Sequence, residues 1–578
     1  MPHSLRRTLA FAVSAVTVMA AGPALTALQA SAGSDNSLRS IKHIVVIYEE
    51  NHSFDNLYGG WPGVNGLSSA TTAHTTQLVQ GGTSAYGCLK QNDVNLASPP
   101  LSVTCTDTAN AITSHFQNLP FSIEAYLPAS AQTCPQPGAF YLHGTLPAST
   151  NLPGGCTEDI VHRYYQEQYQ LNNGHQNLYV TGSDAVGLTM GYYDTTALPI
   201  YQYLHGEDHP SYAIADAFFQ SAFGGSFLNH QWLIAARTPS FPGAPANQHS
   251  ILDTNGMPNT FPTYPLYHAT TPVLDRAITQ ACGLATTNPN RVCGDYAVNT
   301  IQPFSQPTAA PSPTAFKLPL QTGPNIGDEL TKAGVSWAWY SGGWDNAAGN
   351  STGPGWTNGT ISGQCSDPAS SLNGTNGTRW YCPNKVFQFH HQPFNYFANY
   401  AENGPGRSHL QDEQAFFGLA NASDEKCNLP SVSFVKPIGL ENEHPGYTSE
   451  TAGSGHLVKL LSSIQDSACA KNTMVVVTYD EFGGQWDHVA PPGQGGAPGA
   501  HDVWGPGTRV PALVIAPHLR SDFVVDSTHY DTTSILATIE HRFGLAPLGT
   551  RDASVNDLGH VFKARQPSDN NQNGNHSD

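Results

Sequence analysis

The sequence predicts an α/β fold, a largely parallel central sheet with helices on both faces, and three observations carry that reading. Apolar runs without alternation stand at "HIVVIY", "TMVVVTYD" and "VPALVIAP", the pattern of strands covered on both sides. Segments with apolar residues at helical spacing stand between and after them: "SYAIADAFFQSAF", "GSGHLVKLLSSIQDSA" and "DTTSILATIEHRFGL". Strand and helix signals that alternate along 578 residues define a doubly wound architecture rather than an all-β or all-α one.

Taken in chain order, the first segment is not part of that architecture. Arg6 and Arg7 precede an apolar run interrupted by Gly22 and Pro23, and Ala30-Ser31-Ala32 offers an A-x-A cleavage site, so residues 1–32 are expected to be an export signal. "SLRRTL" partly resembles the twin-arginine pattern. A secreted or periplasmic location follows. No later segment is long and apolar enough to span a bilayer, so no stable membrane anchor is expected.

The strand "HIVVIY" runs without a turn signal into Glu49, Glu50 and Asn51. Residues 60–155 are rich in Gly, Thr, Ser and Pro and read as a long disulfide-tied insertion, and 237–380, with "PTAAPSPTAF" and "NGTNGT", read as a second. "SYAIADAFFQSAF" is expected to be a helix. Gly224 and Gly225 then lead into Ser226 and another helix. "TMVVVTYD" ends on Asp480 and Glu481, after which Gly483 and Gly484 allow a tight turn. The polar residues 564–578 read as a disordered tail. Ten cysteines in an exported chain suggest disulfides between near neighbours: Cys88 with Cys105, Cys134 with Cys156, Cys282 with Cys293, Cys365 with Cys382 and Cys427 with Cys469.

Composition narrows the partners. A formal net charge of -19 argues against a nucleic-acid partner, which needs an excess of Lys and Arg, and disfavours adsorption to anionic lipid.

In parallel sheets, ligands sit beyond the carboxyl ends of the strands. Two such ends deliver Glu50 with Asn51 and Asp480 with Glu481. Facing carboxylates repel one another unless a cation lies between them, and these hard oxygen donors suit Mg, Ca or Mn, with Zn also open. The plainer alternative is solvated acids at strand ends, with Asn51-His52-Ser53 as a glycosylation sequon. Ser226 carries a similar choice between a helix N-cap and a nucleophile held over a helix N-terminus.

The motifs "IKHIVVIYEENHSFDNLYG", "MGYYD", "FFQSAFGGSFLNHQ", "ENEHPGYTSETAG", "TYDEFGGQWDHVAPP", "GPGTRVPALVIAP" and "YDTTSILATIEHRFGL", in that order from about residue 41 to 563, together resemble the bacterial phosphoesterase family of secreted acid phosphatases and phospholipases C. The resemblance implies an alkaline phosphatase-like fold and one catalytic domain over residues 33–563. It implies metal binding by Glu50, Asn51, Asp480 and Glu481, with Ser226 as nucleophile and further ligand. It also implies that His162, His390, His391 and His444 contact phosphate, and that charged histidines there favour an acid optimum. Asp487 and His488 either touch substrate or brace their loop.

Within the family, "GGSFLNH" is similar to the acid phosphatase branch, because His230 stands where the phospholipases carry Arg. The expected activity is hydrolysis of small phosphate monoesters. A phospholipase C acting on phospholipid is the alternative, and an inactive secreted binding protein is a remote one.

Overall fold

The computed structural model describes residues 36–564 except 93–95, 97–100, 129, 132–139, 142–143, 146–154, 245–250, 253–263, 268–291, 294–299, 309–316, 349–386 and 440. The expected export signal and all of the expected polar tail after Ala564 therefore lie outside the described residues. So does one cysteine at least of the expected pairs 134–156, 282–293 and 365–382.

Eight strands form the central sheet: β1 (His43–Glu49), β2 (Tyr212–Ala215), β3 (Trp337–Ser341), β4 (Leu410–Asp412), β5 (Val432–Lys436), β6 (Thr473–Tyr479), β7 (Ala512–Ile515) and β8 (Phe523–Asp526). Their spatial order is β4-β3-β5-β1-β6-β7-β2-β8. All neighbours pair in parallel except at β7, which runs antiparallel to both β6 and β2. The fold is thus mixed α/β with a mainly parallel sheet. "VPALVIAP" is a buried strand, but its apolar run carries no information about direction, so it sits reversed in the sheet.

Five helices frame the sheet: α1 (Tyr164–Leu171), α2 (Ser226–Ala235), α3 (Glu413–Asn421), α4 (Glu450–Gln465) and α5 (Thr533–Phe543). Side chains along a strand alternate between faces, and the contacts follow that alternation. On β3, Trp339 faces His230 of α2 while Tyr340 packs against Phe416 of α3. On β1, Tyr48 lies edge-on to His230 with ring centroids 4.9 Å apart. Helix α2 packs on α5, and α4 packs on α3. Every residue of β6 is buried, as expected for a strand roofed on both sides.

Two expectations are corrected. "SYAIADAFFQSAF" is not a helix: it forms β2 and a short strand, Phe218–Phe219. All four residues of β2 are buried, and a continuous apolar run fits a central strand as well as a helix. The stretch 237–380 is not one irregular insertion, because β3 lies inside it. Among the described residues, disulfides join Cys88 to Cys105 and Cys427 to Cys469.

Candidate active site

Register brings the two acidic strand ends together. Glu49 pairs with Tyr479 across β1 and β6, so Glu50 and Asp480 leave the sheet side by side. Asn51 then turns with φ 61, a left-handed conformation that Asn tolerates better than most residues. Its N–H donates to Asp480 Oδ1 at 3.2 Å. Gly483, at φ 62, closes against it: a Cβ there would lie 2.3 Å from the Asn51 carbonyl oxygen. Glu50, Asp480 and Glu481 are fully buried and Asn51 is 1% exposed, which rules out both solvated acids and a usable sequon.

Ser226 meets this group from the other side. Gly225 occupies the N-cap of α2 and Ser226 is the first helical residue, making no capping bond. Its Oγ instead lies 3.3 Å from Glu50 Oε2 and 3.5 Å from Glu481 Oε1. It opens onto a cavity of about 430 Å³ that His162, His390, His391 and His444 also line. All nine sequence-predicted site residues thus converge.

Three histidine rings are oriented by the same device. Nδ1 of His162 donates to the Ile160 carbonyl at 2.5 Å, that of His444 to the Pro445 carbonyl at 2.7 Å, and that of His230 to the Ser226 carbonyl at 2.8 Å. Each bond sets the tautomer and aims Nε2 at the centre. His162 Nε2 lies 3.1 Å from Glu481 Oε1, and His444 Nε2 accepts from the Asn51 amide at 3.0 Å. His230 stacks on His391, ring centroids 4.8 Å apart.

Burial holds His230 and His390 well below the ordinary imidazole range, and pushes His391 down to about 4. At these three rings desolvation outweighs the nearby carboxylates, against the expectation of charged imidazoles. An anionic ligand would oppose that effect.

Sequence reasoning missed two residues. Lys436 ends β5 fully within the protein, paired with Glu50 Oε1 and donating to the Tyr48 and Glu49 carbonyls at 2.8 and 3.2 Å. Recognising "SVSFVK" as a strand would have marked its terminal Lys as a third functional strand end. His230, noted only as a departure from Arg, brings Nε2 to 3.8 Å from Glu50 Oε1.

The donor set fits a divalent cation. Asn51 Oδ1, Asp480 Oδ2 and His230 Nε2 are buried without a hydrogen-bond partner, and of the three buried carboxylates Lys436 pairs with Glu50 alone. Burial and then the charge of Glu50 push Asp480 well up, and burial with Asp480 does the same to Glu481. Burial opposes the ionisation of Glu50 too, but His391 and Lys436 hold it well below the usual range. Glu50, His230 and His391 also bring ligand atoms within 4.8 Å of one another.

Asp487 and His488 brace the loop. Asp487 accepts from Arg509 Nε at 3.1 Å and from the Asp55 N–H at 3.0 Å, and the His488 N–H donates to Asp55. Arg509 fills the space a cation would need, so this acidic group is an ion-pair network.

Known proteins give this geometry a context. The chain is 36% identical over 172 residues to phospholipase C B of Mycobacterium tuberculosis, covering 26% of this chain and 33% of that one. It is 31% identical over 154 residues to non-specific phospholipase C6 of Arabidopsis thaliana, covering 22% and 29%. These matches span about a third of the relatives' length. Among solved structures, the PsFucS1 sulfatase from Pseudoalteromonas sp. aligns over 63% of this chain and 66% of its own at 10% identity, with a TM-score of 0.27, too slight a likeness to build on. The phosphoesterase family model matches residues 41–546, which span β1 to the end of α5: the chain belongs to the phosphoesterase family.

Proposed function

We propose that the chain is an exported, divalent metal-dependent phosphoesterase whose single catalytic domain, residues 33–563, hydrolyses phosphate monoesters through a phosphoseryl intermediate on Ser226. The observation that carries this reading is the Ser226 hydroxyl, held 3.3 and 3.5 Å from two fully buried carboxylates at the floor of a cavity rimmed by histidines.

Glu50, Asn51, Asp480 and Glu481, with Ser226 itself, would hold the metal, and His230 adds an unpartnered Nε2. When bound, the ion supplies Lewis acidity and lowers the pKa of the serine hydroxyl. Ser226 Oγ attacks phosphorus; the new O–P bond forms as the bond to the leaving alcohol breaks. The Oγ proton passes to a neighbouring carboxylate, and a histidine that has gained a second proton beside the bound phosphate anion gives it from Nε2 to the leaving oxygen. The N-terminus of α2, where Ser226 sits, favours negative charge above it. His162, His390, His391 and His444 orient the remaining phosphate oxygens, which is where phosphoryl transfer gains most of its rate. Water then cleaves the phosphoserine.

A phospholipase C is the second reading, favoured by the names of the relatives above. The cavity of about 430 Å³ accommodates a phosphate with a small leaving group, whereas diacylglycerol would have to extend outside it. The test is hydrolysis of p-nitrophenyl phosphate against p-nitrophenyl phosphorylcholine, beside Ser226→Ala and a chelated sample. Monoester preference lost in both controls supports the proposal. Diester preference selects the phospholipase, and full activity in Ser226→Ala refutes the phosphoserine.

A further inference from the structure

Glu167 is buried on α1 and does not line the cavity, yet it ties together the segments that carry the site. Its Oε2 accepts from the Gly224 N–H at 2.5 Å and from Gln220 Nε2 at 3.0 Å. Its Oε1 accepts from the Thr508 N–H at 2.6 Å and Thr508 Oγ1 at 2.8 Å. Gln220 continues the connection, its Oε1 accepting from the Phe482 N–H at 2.9 Å. One carboxylate and one amide therefore span from two residues before Ser226 to one residue after Glu481.

The Gly224 carbonyl also accepts from Gln220 and Asn229, but its N–H depends on Glu167. Gly224, at φ 85, sits so close to α1 that a Cβ would lie 2.4 Å from the Tyr164 nitrogen, and its N–H would be buried without a partner if Glu167 turned away. The segment on the Phe482 side carries Glu481, whose Oε1 faces Ser226 Oγ across 3.5 Å. A shift of about 1 Å at a reacting atom can cost on the order of a hundredfold in rate, so a rigid strut between these two backbones has a direct catalytic use. We infer that Glu167 is a positioning residue that sets the distance between Ser226 and Glu481, a role that rests on Ser226 being the nucleophile.

Glu167→Gln tests this with little change of shape. The amide keeps one acceptor oxygen and turns an NH₂ toward a pair of donors, so two of the four hydrogen bonds are lost. In the full-length protein, kcat is expected to fall about 10- to 100-fold, with KM within about threefold. Hydrogen exchange in the segment 219–227 should quicken, a readout that needs no activity. A folded Glu167→Gln protein with kcat within about twofold of wild type, or with unchanged exchange in 219–227, overturns the inference whatever its melting temperature. Should Glu167→Gln fail to fold, Thr508→Val removes a single donor to the same carboxylate. It is expected to lower kcat about threefold or more at constant KM, and an unaltered kcat overturns the role. A wild-type chain inactive on every phosphoester would overturn the functional reading and this role with it, whereas an active wild type with an indifferent variant overturns this role alone.

Discussion

Replacing Lys436 by Met examines the charge balance on which the candidate metal site depends. The substitution keeps most of the side-chain volume while removing the cation that pairs with Glu50 and the donor to the Tyr48 and Glu49 carbonyls. A unit pair about 3 Å apart at an effective dielectric constant of about 20 is worth roughly 5 kcal/mol. Removing one partner of a buried pair costs about 3–5 kcal/mol, because the other charge stays behind uncompensated. In chelator the variant should therefore unfold several degrees below wild type. A divalent cation changes the comparison. Any ligand of the native state at about 100 times its Kd adds ~2.7 kcal/mol, and without Lys436 to repel it the cation should bind the variant more tightly. Thermal unfolding of both proteins in chelator and across a Mn²⁺ titration measures each part. A loss under about 1 kcal/mol in chelator, below the range for a broken buried pair, or a smaller gain from Mn²⁺ in the variant than in wild type, would refute the reasoning.

Stability should also respond to pH through acids remote from the site. Burial pushes Asp412 up to about 7, and burial with Asp552 pushes Glu540 up to about 8. Both hold protons in the folded state that the unfolded chain releases near pH 4, so their contribution is full at low pH and lost as pH rises through 7 and 8. The unfolding midpoint should fall between pH 5 and 8.5, less steeply in Glu540→Gln, and a midpoint that rises over this range would contradict the assignment. Gly483→Ala places a Cβ 2.3 Å from the Asn51 carbonyl at φ 62, whereas Gly81, at φ 89, has nothing within 4 Å. The first substitution should cost activity as well as stability and the second only the backbone strain of about 1 kcal/mol; equal activities would count against a close fit at Asn51. Asp487→Ala leaves Arg509 buried and short of a partner, so a loss of about 3–5 kcal/mol with an unchanged KM is expected, and a raised KM would mean that Asp487 meets substrate.

The sheet and its site differed in how well the sequence announced them. Residues beyond an uninterrupted Val/Ile run were readable because such a run must be covered on both faces, which leaves its polar end as the place where chemistry can reach solvent. Glu50, Asn51, Asp480 and Glu481 all followed from β1 and β6 in this way. Strands with mixed patterns were not readable. "WAWYS" and "SVSFVK" hold aromatic, hydroxyl and charged residues, yet all five residues of β3 and of β5 are buried. Some of their polar groups find partners on other elements, as when Trp337 Nε1 donates to Thr331 Oγ1 at 2.9 Å and Lys436 Nζ to the Tyr48 carbonyl at 2.8 Å, and a linear pattern does not show those partners. The direction of β7 was equally hidden, since burial is the same for a strand running either way. His230 read only as a departure from Arg because its value comes from a helical turn: residue i+4 from Ser226 brings Nδ1 back onto the Ser226 carbonyl.

Register explains why three separate strand ends make one site. Across β1 and β6, Tyr48 pairs with Thr478 and Glu49 with Tyr479; across β1 and β5, Ile47 pairs with Val435. Lys436 is thus level with Tyr48, two residues before Glu50, and its long side chain covers that distance to reach the carboxylate while its stem stays in the sheet. Had β5 been one residue longer or shorter relative to β1, the ammonium would have moved to the opposite face, because side chains alternate with a period of two. Glu49 shows where that leads: it leaves β1 on the other face from Glu50, both its oxygens lack a hydrogen-bond partner, and burial with Glu443 pushes its pKa well up. Two neighbouring glutamates in one dipeptide therefore meet opposite surroundings, one beside Lys436 and His391, which favour its charge, and the other behind the sheet, where burial disfavours it. The pairing register of the strands assigns those surroundings, and their composition does not.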